Sequence, residues 1–147
     1  MKRKLTFLLT ALLLLTGIGL QAQTYTWVST PLSDLTTTDV FVIVANNGSD
    51  YAMTNNNGTS SAPAAVAVTV SGNTLTGTIA DNIQWTISGN ATNGYTFYPN
   101  GSSDTWLYCT GTNNGVRVGT NSNNTFKVDA STGYLVHQGT SRLKDIA

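Results

Sequence analysis

Between Gly94 and Asp129 the chain reads GYTFYPNGSSDTWLYCTGTNNGVRVGTNSNNTFKVD, and this stretch limits the folds open to it. Four short apolar or aromatic runs, Tyr95–Tyr98, Trp106–Cys109, Val116–Val118 and Phe126–Val128, are separated by patches of Asn, Gly, Ser and Thr. Aromatic and β-branched side chains suit a pleated, half-buried surface, and Asn and Gly tolerate the positive φ of tight turns. The runs are too short for helices, so they predict four antiparallel strands joined by turns.

The same grammar extends backward. Strand-like runs occur at Val40–Ala45, Tyr51–Thr54, Ala64–Val70, Thr74–Ile79 and Ile83–Ile87, with Ser71-Gly72-Asn73 as a turn. Close to half of the residues after Ala22 are Thr, Asn, Ser or Gly. A disordered chain of such polarity would lack aromatics and carry Glu, Lys and Pro. Here Trp, Tyr, Phe, Val and Ile recur at regular spacing, which predicts an all-β domain whose outer faces and turns are built from Thr and Asn.

The N-terminus has a different logic. Lys2, Arg3 and Lys4 precede the apolar stretch Leu5–Leu20, and Ala22 offers a small residue for cleavage. This pattern predicts a signal peptide over 1–22, hence a secreted, periplasmic or cell-surface protein with no stable membrane span after cleavage. Gly and Thr dilute the stretch below what a spanning helix requires. Beyond residue 22, Arg117, Lys127, Arg142 and Lys144 face seven Asp and no Glu, a formal charge of −3. Phosphate binding needs a basic stripe, so nucleic acid is excluded as an expected partner.

The runs also repeat. Asn82-Ile83-Gln84-Trp85-Thr86-Ile87 matches Asn123-Asn124-Thr125-Phe126-Lys127-Val128, with an aromatic at the same offset and an aliphatic two residues on. The loops Asn46–Asp50 and Asn100–Asp104 correspond, and Gly133–His137 resembles Gly94–Tyr98. Repeat starts fall near Phe41, Tyr95 and Tyr134. The expected organisation is a lead-in over 23–39, a repeat domain over 40–142 with units near 40–93, 94–132 and 133–142, and a tail over 143–147. Three units of four strands resemble a β-trefoil, with the third unit truncated and the barrel incomplete at the C-terminus; a small β-sandwich is the alternative. The segments Thr24–Val28, Ser60–Val68 and Thr96–Cys109 further resemble a secreted Thr/Asn-rich module recurrent in gut Bacteroidota proteins. That resemblance implies export and fold rather than an activity.

The residues offer little for catalysis. His137 is the only histidine, and no Gly-x-Ser-x-Gly motif accompanies it. Most of the Asp residues adjoin turns or chain ends, where carboxylates cap backbone N–H groups. One His and one Cys cannot form a zinc site, so no catalytic residue, metal or cofactor is expected. Cys109 alternates with Trp106 and Tyr108, which places Leu107 and Cys109 on one face and the two aromatics on the other. The expectation is a non-catalytic binding module. Tyr98, Asp104, Trp106, Tyr108, Asn113 and Asn114 are the candidate ligand residues, because aromatic faces stack on sugar C–H groups while Asp and Asn bond hydroxyls. Relative to ricin-type lectins the Gln-x-Trp signature is absent: Gln84 and Trp85 are adjacent. The alternatives are a structural or adhesive module that binds another surface protein, or a fragment of a longer secreted protein.

Overall fold

The computed structural model describes residues 27–58, 62–110, 115–129, 131 and 135–137. The signal and tail, as well as Asn113 and Asn114, lie outside these residues. What is described is all-β, apart from single 3-10 turns at Leu32–Asp34 and Asp81–Ile83. Among the described residues no helix is long and apolar enough to cross a membrane.

Among the described residues twelve strands follow in order: β1 Trp27–Val28, β2 Val44–Asn46, β3 Asp50–Asn57, β4 Pro63–Ala67, β5 Thr69–Ser71, β6 Thr74–Thr76, β7 Trp85–Asn90, β8 Gly94–Pro99, β9 Trp106–Cys109, β10 Val116–Gly119, β11 Phe126–Val128 and β12 Leu135–His137. They form small antiparallel sheets in the orders β2-β3-β4, β1-β6-β5, β9-β10 and β7-β8-β11-β12. None of these sheets closes into a barrel.

Several boundaries depart from the sequence expectation. The run from Val40 becomes a strand only at Val44, and Phe41 forms an isolated bridge with Trp85. The run Ala64–Val70 divides at Val68: its N–H still donates to the Asp50 carbonyl at the end of the β3–β4 ladder, and from Thr69 the chain pairs with β6 instead. Trp27 and Val28, read as lead-in, pair with Leu75 and Thr74.

The sheets share a core in which Trp85, Ile87, Tyr95, Phe97, Leu107 and Phe126 are buried together. Phe97 packs edge-on against both Phe41 and Phe126, with ring centroids 6.0 and 5.7 Å apart. Such edge-to-face pairs add about 0.5–1.5 kcal/mol each beyond the area they bury. The fully buried Trp85 keeps its indole N–H satisfied by donating to the Met53 carbonyl at 3.2 Å.

Further bonds tie the sheets together. Phe41 and Trp85 exchange backbone bonds of 2.9 and 2.8 Å. The Cys109 N–H donates to the Asn123 carbonyl at 2.9 Å. At the end of β3 the Asn57 amide takes the part of a peptide group: it accepts from Val118 N–H and donates to Val118 C=O, both at 2.8 Å. A register shift between Met53 and Asn57 delivers Asn57 to this position. Within the shift the buried Thr54 hydroxyl accepts from Ala64 N–H and donates to the Asn56 carbonyl, so the bulge leaves that hydroxyl satisfied.

Gly89 shows why the β7–β8 hairpin needs a glycine inside a strand. Its φ is +95°, and a Cβ there would run into the Gly94 carbonyl.

Candidate functional site

Alternation in β9 buries Leu107 completely and leaves Trp106 and Tyr108 half-buried on the opposite face. Cys109, on the Leu107 side, packs against the core, and burial pushes its thiol pKa up, as befits a small apolar residue rather than a nucleophile. The outer face of the β9–β10 hairpin is therefore aromatic by construction.

Tyr98 joins it from β8. Its ring meets Trp106 edge-on at 6.3 Å, and its hydroxyl accepts from Ser88 Oγ at 3.3 Å. The Trp106 indole N–H donates to the Asn121 carbonyl at 2.6 Å, which fixes the ring's orientation. Across the hairpin, Trp106 stands opposite Gly119 and Tyr108 opposite Arg117. The Tyr108 ring leans over Gly119, where an added Cβ would lie 3.2 Å from Cε1. A side chain larger than glycine would lift that ring.

The structure thus brings Tyr98, Trp106 and Tyr108 to one surface. Asp104 belongs to the turn before β9, where it is exposed and accepts from Ser102 Oγ at 3.1 Å. The backbone of that turn is capped by Ser102 Oγ, which accepts from Thr105 N–H at 3.3 Å. Arg117 was missed in the sequence reading; the signal available was the run Val116-Arg117-Val118, whose alternation puts the lone charge outside.

A second feature is a cleft of about 620 Å³ between residues 27–30 and residues 40–46. Trp27, Phe41 and Leu75 line it together with Asp34, Asp39 and Asp50. Asp39 accepts from Thr36 N–H and Oγ1 at 2.8 and 2.9 Å, and these bonds hold its carboxyl below the usual range. Asp50 accepts from Asn46 Nδ2 at 2.7 Å and Asp34 from Ser33 Oγ at 3.0 Å, so all three carboxylates have local turn partners. The cleft escaped the sequence reading because it is assembled from segments far apart in the chain.

His137 lies in β12, 6% exposed and edge-on to Phe126 at 5.8 Å, and burial lowers its pKa. Among the described residues no group of three or more His, Cys, Asp or Glu side chains is placed to hold a metal ion. Comparison with protein-family models, with curated proteins and with solved structures finds no match.

Proposed function

We propose that this chain is an exported, non-catalytic β module that binds glycans through the face formed by Tyr98, Trp106 and Tyr108. The observation that carries the reading is the half-buried aromatic surface on the β9–β10 hairpin. Its rings are held by an indole hydrogen bond, an edge-on contact and a glycine floor. Rigid aromatics present apolar area at little entropic cost, which suits the C–H faces of sugar rings.

The plan of the fold supports a trefoil-like relationship between units. Phe41 and Tyr95, the first two repeat starts, pair with Trp85 and Phe126, the two closing aromatics. In such a plan the first and last strands of each unit neighbour one another, and the middle pair forms a hairpin. The β3–β4 and β9–β10 hairpins occupy that middle place.

The test is binding of the purified protein to an array of neutral polysaccharides and mucin-type glycans. The expected result is saturable, salt-insensitive binding that Trp106→Ala weakens at least about tenfold with the far-UV spectrum unchanged. Undiminished binding by a folded Trp106→Ala variant would move the site elsewhere, and no binding on the array counts against a glycan ligand.

A second reading, a structural or adhesive module, draws on β4. It ends its sheet among the described residues, exposes Ala64–Ala67, and carries no charge to repel another strand. Oligomers that form irrespective of added sugar would favour it.

A further inference from the structure

The outward positions of β10 and the residue before it read Gly115, Arg117, Gly119. The two glycines leave a low floor, and the arginine is the one side chain rising from it. Among the described residues the other basic side chain, Lys127, donates to the Thr92 carbonyl at 2.7 Å on a different strand.

Arg117 stands directly opposite Tyr108, and directly opposed residues of an antiparallel pair share a face. Its guanidinium lies over Gly115, where an added Cβ would be 3.3 Å from Nη1 and 3.6 Å from Cζ. Nη1 donates to the Val116 carbonyl at 2.8 Å. That bond fixes the fork while leaving most of its five N–H donors for another acceptor. Among the described residues no carboxylate makes an ion pair with it. The fork over Gly115 and the Tyr108 ring over Gly119 occupy opposite ends of one face. That spacing matches an anionic group on a sugar next to a stacked one, and guanidinium binds carboxylate and sulfate oxygens in a geometry that lysine cannot reproduce.

We infer that the face selects acidic glycan chains: Arg117 binds the carboxylate or sulfate ester of one sugar while Trp106 and Tyr108 carry a neighbouring sugar ring. The inference rests on the glycan reading above and adds the ligand's charge. It also explains how a chain with a mildly acidic balance could bind a polyanion, since the attraction is local to one fork.

The experiment compares two matched pairs of polymers, polygalacturonate against its methyl ester and dextran sulfate against dextran, by calorimetry at low and high salt. Wild type is expected to bind the acidic member of at least one pair about tenfold more tightly at low salt. The pair that shows the preference distinguishes carboxylate from sulfate. Arg117→Gln should abolish the preference, keep the neutral affinity and leave the thermal melt unchanged. Arg117→Lys should restore only part of the preference, and Lys127→Gln should retain it in full. Equal binding of acidic and neutral members by wild type, or a preference that survives Arg117→Gln, overturns the inference and leaves the glycan reading standing. If neither member of either pair binds, or if a folded Trp106→Ala variant binds like wild type, the glycan reading and the inference fall together.

Discussion

At the scale of single residues, the buried polar groups among the described residues are few, and the packing accounts for each. Trp85 reaches a carbonyl, Thr54 closes a bulge, and His137 is covered beside Phe126 with its pKa lowered by burial. The histidine makes stability depend on pH. In the unfolded chain its imidazole titrates near about 6.5. In the fold it titrates lower, so below that pH the unfolded state binds the extra proton and stability falls as the pH drops through the folded value. Above the unfolded pKa the contribution is fully present. Thermal melts from pH 7.5 to 5 should therefore show a steeper loss of Tm for wild type than for His137→Gln. Parallel curves for the two proteins would mean that the imidazole is as well solvated in the fold as outside it.

At the scale of elements, local chemistry was readable and partnership was not. The runs Trp106–Cys109 and Phe126–Val128 coincide with β9 and β11, because period-two alternation and Asn/Gly turns are written in adjacent residues. The same alternation set Leu107 on the face opposite Trp106 and Tyr108, and the fold turns the Leu107 face to the core. The pairing of Trp27–Val28 with β6 was invisible, since a two-residue strand has no period and its partner lies far along the chain. Of the six candidate ligand residues, Trp106 and Tyr108 were legible as one face, Tyr98 joins them only through its packing on Trp106, Asp104 lies in a turn, and Asn113 and Asn114 lie outside the described residues. Arg117, not among the six, emerged only once the β9–β10 register was known.

Asn57 is the clearest case of an element-level joint that no pattern announces. In a run of Asn and Gly it looks like any turn residue, yet its amide replaces a peptide unit between β3 and β10. Both bonds need the carboxamide, one as acceptor and one as donor. Asn57→Ala should cost about 1 kcal/mol, the usual net worth of an exposed bond arrangement of this kind. Asn57→Asp should not restore it, because a carboxylate cannot donate to the Val118 carbonyl. Chemical denaturation gives the cost, and faster exchange of the Val118 amide in both variants locates it. Unchanged exchange at Val118 would show that the joint carries no load.

At the scale of the whole molecule, burial is distributed unevenly among the sheets. The four-stranded sheet contributes Trp85, Ile87, Tyr95, Phe97, Phe126, Val136 and His137 to the buried interior. The β1-β6-β5 sheet contributes no buried residue, and Val28 within it is 60% exposed. Local opening free energies range from near zero to the global value according to how much apolar contact an element would lose. The backbone bonds of β5 and β6 are sound as a hairpin, but an isolated hairpin is marginal in water. Native-state hydrogen exchange should therefore divide the chain in two. The amide of Leu75 should exchange through a low-energy opening that is insensitive to small amounts of denaturant. The amides of Ile87 and Phe97 should exchange only through global unfolding, with a steep denaturant dependence. Leu32 and Leu35, which follow β1 and pack against the core, are the contacts that would spread cooperativity between the two parts. If Leu75 and Ile87 show the same opening free energy and the same denaturant slope, those leucines couple the small sheet to the core and the molecule opens as one unit. If they differ as expected, the aromatic face on β9–β10 belongs to the rigid part, because Leu107 anchors its underside in the same core as Phe97. A face anchored in this way loses little entropy on binding a ligand, which is the condition a stacking site requires.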